Sequence, residues 1–377
     1  MKYCVLYPEA KNVHLVKDVG MIAYKLNRLH NVDSFIACYN NDKYDYLESE
    51  VKGLKINFIE KKHSHFVNVF KYLKKEAKNI DVLQIFHVTL KSVVYAFLYK
   101  FFNRRGTIFL KLDCSNALVL KLENLKLVEK IILNAYLKRV DIIGVEQEEI
   151  FKKLKKILFK YKDKLLNVSN GLDFDNPIFK EDINYKDKEN VVITVGRIGS
   201  PEKSMNTLME AFENIDKTIR ANWKLVFIGP IEESFKNYIT EFFSKCTDAK
   251  KYIEFKGPIY DRTLLFNEYK KAKIFCLTSE YESFGFSLIE AGAFGDVIVS
   301  TDVGIASEII KNSNGKIIPF KDSKALTDVL CGIMQDNNLE NKGKETEKIV
   351  KGKYSWNKIT EILYTKIIEI RGKKIDE

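Results

Sequence analysis

Proline is scarce in this chain, six residues in 377, and glycine is modest at 18. That excludes the proline-rich, collagen-like and disordered classes, whose composition forbids a packed core. The six cysteines, Cys4, Cys38, Cys114, Cys246, Cys276 and Cys331, never pair as C-x-x-C. Neither a zinc site nor a disulfide framework is expected of them, and they read as reduced packing residues. No uncharged apolar run reaches the roughly 18 residues that span a bilayer, and the opening MKYCVLYPEAK meets charge too early for a secretory signal. The cytoplasm is the expected compartment. The phosphate-cradling pattern G-x-x-x-x-G-K-[ST] is missing, as are zinc-finger, RNP-like and helix-turn-helix signatures that would read bases. No nucleic-acid partner is therefore expected.

What is present is a long, basic chain rich in aromatics. Lys and Arg number 62 against 51 Asp and Glu, a net charge of +11, with 46% hydrophobic and 12% aromatic residues. At roughly 100 to 200 residues per domain, the length predicts two domains. Residues 1–170 hold 31 basic and 18 acidic residues, so the whole positive surplus lies in the first half. Within it, residues 61–78, 91–105 and 151–164 mix Lys and Arg with aromatic and aliphatic side chains at helical spacing. Each is either an ordinary solvated amphipathic helix or a face turned to an anionic lipid surface.

Short apolar runs, KYCVLYP, DSFIACY, INFIE, DVLQIFHV, TIFLKL and DIIGV, alternate with helical patterns through the first half. The alternation pauses at NVSNGLDFDNPIF, beside Asn170 and Gly171. It resumes with VVITVGR, KLVFIGP, YIEFKGP, KIFCLTS, VIVST and GKIIPF, each followed by a helical pattern. Alternating β and α elements predict parallel sheets covered by helices, here two doubly wound Rossmann-like domains facing a cleft. The expected domains are residues 1–170, residues 171–353, and a closing helix at 354–377 that packs back toward the first domain.

Two constellations carry chemistry. In VVITVGRIGSPEKSM a buried strand ends at Gly196 and Arg197, and a Pro201-Glu202-Lys203 turn leads into a helix. Gly196 permits close backbone approach, while Arg197 and Lys203 set two cations beside a helix start that already attracts anions. The arrangement suits a diphosphate; the bland reading is a strand-to-helix loop with two solvated cations. In SEYESFGFSLIEAGAFG, Glu282 and Glu290 stand eight residues apart across Ser283-Phe284-Gly285. With a helix starting near Phe284, their carboxylates fall about 9 to 12 Å apart, which suits the two ends of one long ligand. The amides of Phe284, Gly285 and Phe286 would lie between them at the helix start. The bland reading is a dipole-favoured acidic residue and one solvated Glu.

E-S-F-G-F-S-L-I-E resembles the E-x7-E motif of retaining GT-B glycosyltransferases, family 4 type, and G-R-x-x-x-P-E-K resembles their phosphate-binding turn. N-G-L-D, F-I-G-P, F-K-G-P-I and D-V-G-I-A-S-E follow in the family's order. The resemblance covers the second half closely and the first half loosely. It implies a nucleotide-sugar donor whose diphosphate is held by Arg197 and Lys203, whose ribose is bonded by Glu290, and whose sugar faces Glu282. It implies further that Gly196, Ser283 and residues 256–259, with Gly257 and Ile259 among them, line the donor pocket, and that Gly20, with Lys17 nearby, approaches from the first domain. No metal or other cofactor is expected, since fixed cations and a helix start can meet the charge of the leaving diphosphate. The D-x-D at Asp173-Phe174-Asp175, a metal motif elsewhere, lies in a loop and is not read as one.

Several positions depart from the family pattern. Ser204 stands where Gly is frequent, Asp296 where Pro is frequent and Val303 where a second Gly is frequent. The first-domain loop has a single Gly. Where relatives carry an acceptor-side His, TIFLKLDCSN presents Asp113, either an acceptor-orienting or base residue or a cap of the next loop. His87 is a second candidate, or a buried hydrogen-bonded histidine. The expected activity is retaining, metal-independent transfer of a UDP- or GDP-linked sugar to a surface glycan or lipid-linked acceptor at the inner, anionic membrane face. The alternative is a non-catalytic GT-B scaffold or partner subunit.

Overall fold

The computed structural model describes residues 1–112 and 116–376. The chain divides into two compact units, Met1–Gly171 with Trp356–Glu377, and Leu172–Ser355. Each is a Rossmann-like doubly wound domain.

Seven strands form the sheet of the first unit: β1 (Lys2–Leu6), β2 (Asp33–Cys38), β3 (Lys55–Phe58), β4 (Val82–Phe86), β5 (Thr107–Leu112), β6 (Ile142–Val145) and β7 (Leu165–Asn167). They lie in the order β3-β2-β1-β4-β5-β6-β7, all parallel. Most are buried on both faces, which is why they read as nearly continuous apolar runs. Alternation along β1 serves two cores. Cys4 and Leu6 join the helices α2 (His65–Glu76), α3 (Leu90–Phe102), α4 (Asn116–Glu123), α5 (Leu127–Arg139) and α6 (Glu148–Ile157). Tyr3 and Val5 face α1 (Asp18–His30) and the closing helix, which contributes Trp356, Ile359, Leu363 and Ile367. At roughly 1.5 to 3 kcal/mol per large buried apolar side chain, those four make the closing helix integral to the first unit. The strand β7 is absent from the sequence reading: three residues at a sheet edge carry no periodicity of their own.

The second unit has β8 (Val191–Val195), β9 (Lys224–Ile228), β10 (Ile253–Gly257), β11 (Ile274–Leu277), β12 (Val297–Thr301) and β13 (Gly315–Ile318). Their order is β10-β9-β8-β11-β12-β13, again all parallel. Its helices are α7 (Met205–Glu213), α8 (Lys217–Arg220), α9 (Glu233–Lys245), α10 (Arg262–Lys271), α11 (Phe286–Ala293), α12 (Ala306–Ile309), α13 (Ser323–Met334) and α14 (Leu339–Lys353), followed in the chain by α15 (Trp356–Asp376) of the first unit. One core lies under α7 and α13, the other under α10, α11 and α14. The last pair approach through small residues: a Cβ on Gly292 of α11 would sit 2.7 Å from Val350 of α14.

In both sheets the strand order reverses direction once, between β1 and β4 and between β8 and β11. Loops leaving two such neighbouring strands diverge to opposite faces and open a crevice at the carboxyl ends, the place where doubly wound sheets bind ligands.

Candidate functional site

The loops after β8 and β11 border the switch point of the second unit, and side chains stitch them together. Thr278 Oγ1 donates to the Lys203 and Ser204 carbonyls (2.8 and 3.2 Å), and the Glu280 amide donates to the Glu202 carbonyl (2.7 Å). The turn Pro201–Lys203 is thereby fixed. Ser204 follows it at φ 45°, in the left-handed region where Gly is easier, which accounts for the residue type usual there. Its buried hydroxyl lies 2.9 Å from Thr207 Oγ1.

The turn brings Lys203 to Glu282: the ammonium donates to Glu282 Oε1, and Ser279 Oγ donates to the same oxygen at 2.8 Å. Both partners are mostly buried, so the pair is less screened than a surface one. Arg197, by contrast, is largely exposed and pairs with Glu202. The Ser200 hydroxyl and the residue's own amide hold the Glu202 carboxyl below the usual range, with Arg197 and Lys203 adding to the effect.

The helix α11 begins at Phe286, two residues later than the spacing suggests, because Gly285 caps it at φ 91° and cannot be a helical residue. Ser283 is exposed, whereas Phe284 is buried, packed edge-on to Phe286 and Tyr354, so its side chain belongs to the core. Gly304, at φ 56°, lets the loop after β12 close on Phe284: a Cβ there would lie 2.2 Å from the Phe284 carbonyl oxygen. Glu290 sits two turns of sequence beyond Glu282, buried, accepting from Tyr269 at Oε2 (3.2 Å) and paired with Arg262 at Oε1 (3.3 Å). Burial and the adjacent Glu290 push the Tyr269 phenol far up, keeping it a donor.

Behind Tyr269 lies an ion pair with no local sequence signal. Lys188 and Asp296 are both fully buried, 2.7 Å apart, and Lys188 also donates to the Ala272 carbonyl (2.5 Å) and faces the Tyr269 carbonyl (3.4 Å). Burial pushes the Asp296 carboxyl up to about 7, against the opposing pull of Lys188. Asp296, a departure from the expected pattern, is thus the buried partner of Lys188.

Other expected donor residues fall in separate places within the unit. Gly196 ends β8, its amide bonded to the Ile228 carbonyl (3.0 Å). Gly257 ends β10 at φ 71° and accepts from Gly229 (2.9 Å). Lys256 pairs with Glu268 at 2.6 Å, and Ile259 lines a pocket of about 570 Å³ with Leu264 and Asn267. Asp173 Oδ1 accepts from the Asp175 amide (3.1 Å) within the loop. No cluster of three or more His, Cys, Asp or Glu fit to hold a metal occurs among the described residues.

In the first unit, Gly20 lies in the first turn of α1, and a Cβ there would come within 2.0 Å of the Leu15 carbonyl oxygen. Its smallness is therefore required by its own chain. Asp113 lies outside the described residues. Beside it in sequence, Lys111 is fully buried, 2.6 Å from Glu146 and 3.6 Å from Asp18, with Asn170 donating to Glu146 (2.7 Å). His87 is half-buried and adopts φ 57°, an uncommon conformation for a non-glycine residue. It lines a pocket of about 300 Å³ with Tyr7, Glu9, Thr89, Lys91 and Tyr95, at the switch point between β1 and β4. Arg262, Tyr269, Ser279, Glu202 and Lys188 were not singled out from sequence; each acts through a partner distant in the chain or across a turn.

Comparison with known proteins shows what the chain is similar to. Residues 175–350 match the family described as glycosyl transferases group 1. A phosphatidyl-myo-inositol mannosyltransferase of Mycolicibacterium smegmatis is 24% identical over 180 residues, 46% of this chain and 44% of that protein. An uncharacterized glycosyltransferase of Methanocaldococcus jannaschii is 29% identical over 226 residues, 56% of each chain. The chain thus spans about half the length of these curated relatives. Among solved structures, a glycosyltransferase from Rickettsia africae superposes with a TM-score of 0.75 at 16% identity, covering 98% of both chains. Anabaena HepE, solved in complex with UDP, gives 0.73 at 16% identity over 98% of this chain and 100% of that one.

Proposed function

We propose, for a chain of GT-B fold whose residues 175–350 belong to the glycosyl transferases group 1 family, that it moves a sugar from a nucleoside-diphosphate donor to a glycan or lipid-linked acceptor. The observation that carries this reading is the junction of the β8 and β11 loops, where Lys203 is held on Glu282 at the switch point of the sheet. A pyrophosphate placed there meets Lys203, Arg197 and the start of α11, and the negative charge that grows on it as the sugar leaves is met by groups already in place. Glu282, fixed by Ser279, faces the sugar as it becomes oxocarbenium-like. Glu290, held by Tyr269 and Arg262, takes the ribose hydroxyls.

The proposed outcome is retention at the anomeric carbon without a metal, with Lys203 and Arg197 supplying the counter-charge. UDP is the first nucleotide to test, because HepE was solved with it. The acceptor side is assigned to the first unit, at the pocket beside His87, with Asp113 a candidate from its sequence alone. Relatives whose names specify lipid-linked or lipopolysaccharide acceptors, together with the basic surplus of the first half, support an acceptor at the inner membrane face. Among the described residues no helix is long and apolar enough to cross a membrane.

The test is a panel of UDP- and GDP-sugars, read by donor hydrolysis and by thermal shift. A donor at about 100 times its Kd adds roughly 2.7 kcal/mol of stability, a shift of a few degrees. Glu282→Gln should keep the fold and lower turnover roughly 100-fold or more. Turnover unchanged in this variant, or no donor that shifts the melting temperature, refutes the assignment.

A further inference from the structure

Among the described residues, 22 large apolar side chains are exposed, and twelve of them lie on the single layer formed by α2 to α6 and the turn after it. The apolar surface is therefore concentrated on one face of the first unit. Within it, α5 stands out. From Lys126 to Ile132 every residue is exposed, and the helix docks only through its second half, where Tyr136 and Leu137 are buried. Leu127, Val128, Ile131 and Ile132 keep 75, 66, 60 and 50% of their surface in solvent, and Leu120 of α4 keeps 59%.

At about 100° per residue, Leu127, Val128, Ile131 and Ile132 form one stripe about 140° wide, with Lys130 beyond one edge and Glu129 beyond the other, each by about 60°, and Lys126 at the N-cap. Glu129 instead closes the start of the helix, its carboxylate accepting from the Lys126 amide at 2.8 Å. The helix α5 ends two residues before β6 begins, so its opposite, unburied start lies toward the carboxyl edge of the sheet, the edge that also carries the pocket beside His87.

We infer that the exposed start of α5, with the neighbouring end of α4, dips into an anionic lipid bilayer, seating the apolar stripe at the boundary of headgroups and acyl chains while Lys121, Lys126 and Lys130 meet the phosphates. This rests on the proposed transfer at a membrane face and names the surface that makes the contact. Charge decides between lipid and a second copy of the chain. Residues 65–164, which contain the layer, hold 21 basic and ten acidic residues. A two-fold self-interface would press that surplus against itself, whereas an anionic bilayer neutralises it. A helix whose apolar face enters by some 5 to 10 Å needs no further partner.

The full chain is sedimented with vesicles of phosphatidylcholine alone and with vesicles containing about 30% phosphatidylglycerol. Wild-type protein should partition at least about ten-fold more strongly onto the anionic vesicles, more weakly as salt rises. The variant Leu127→Gln/Val128→Gln/Ile131→Gln/Ile132→Gln should lose roughly ten-fold or more of that partition, with melting temperature and donor hydrolysis unchanged. Lys126→Gln/Lys130→Gln should lose several-fold and flatten the salt dependence. Wild-type protein that stays in the supernatant with both vesicles overturns the inference, as does a quadruple variant that sediments like wild type. A wild-type dimer in light scattering that the quadruple variant turns into monomer assigns the stripe to a second copy instead. Donor hydrolysis is read separately, so vesicle binding without turnover would sink the enzymatic reading and leave the membrane contact standing.

Discussion

Lys188→Met would leave the Asp296 carboxylate buried with no counter-charge, and the structure sets the size of the loss. Both groups are fully buried, 2.7 Å apart, and 108 residues separate them in sequence. Removing one member of such a pair costs about 3 to 5 kcal/mol, because the remaining charge must be neutralised or hydrated at the expense of packing. Replacing both, as Lys188→Met/Asp296→Leu, should recover most of that loss. The two tryptophans make the measurement clean: Trp223 lies in the second unit and Trp356 in the first. In a Trp356→Phe background, Trp223 fluorescence follows urea unfolding of the second unit. With a slope of about 2 kcal/mol per molar, the single variant should lower the midpoint by about 1.5 to 2.5 M. The pH dependence follows from the Asp296 carboxyl, raised to about 7 from 3.8. A raised acid favours the fold below its unfolded value and loses that contribution as pH climbs through the folded one. Wild-type stability should therefore fall between about pH 4 and 7 from this group, with the slope absent in Asp296→Asn. The Lys188→Met penalty should likewise be smaller at pH 5 than at pH 8, where the lone buried carboxyl must hold its proton against the solution or ionise without a counter-charge. A penalty under about 1 kcal/mol, or a double variant weaker than the single, would refute the reasoning.

Three further outcomes are expected. Arg197→Ala removes an exposed ion pair worth no more than about 1 kcal/mol, so the melting temperature should barely move while donor affinity falls roughly ten-fold or more in titration. Tyr269→Phe leaves Glu290 Oε2 without its buried donor and should cost about 1 to 3 kcal/mol in thermal unfolding, together with weaker donor binding in the same titration. Gly229→Ala should be far worse than Gly257→Ala. The first adds a Cβ 1.8 Å from the Gly196 carbonyl oxygen at φ 143°, the second meets open space and costs only about 1 to 2 kcal/mol of left-handed strain, and soluble yield with circular dichroism ranks the two.

Much of the architecture was legible because parallel strands are buried on both faces and announce themselves as unbroken apolar runs. The strands β8, β9, β11 and β12 of the second unit were visible this way, while the half-exposed edge strands β10 and β13 showed only as short runs ending in Gly or Pro. The helix α14 was not: its buried positions are Leu339, Gly343, Thr346 and Val350, and Gly343 lies so close to Gly295 that a Cβ would reach 2.2 Å from its carbonyl oxygen. Small residues that permit close approach leave no hydrophobic period. At the candidate site, the short motifs around Lys203 and Glu282 pointed to residues that the fold joins. Arg262 and Tyr269 escaped notice because their meaning depends on Glu290, 28 and 21 positions away, and Asp296 drew attention only as a departure from a pattern. The exposed stripe of α5 drew no reading from the sequence, since paired aliphatics at helical spacing look like core until packing shows them uncovered.

The first unit closes with a helix that the chain supplies only after the second unit is complete. During synthesis, Leu172–Ser355 can finish its sheet and both cores while the face of β1 that bears Tyr3 and Val5 still waits for Trp356 and Ile359. The domain begun first is thus the last to become stable on the ribosome, and its nascent form carries an uncovered apolar flank for the time needed to translate some two hundred residues.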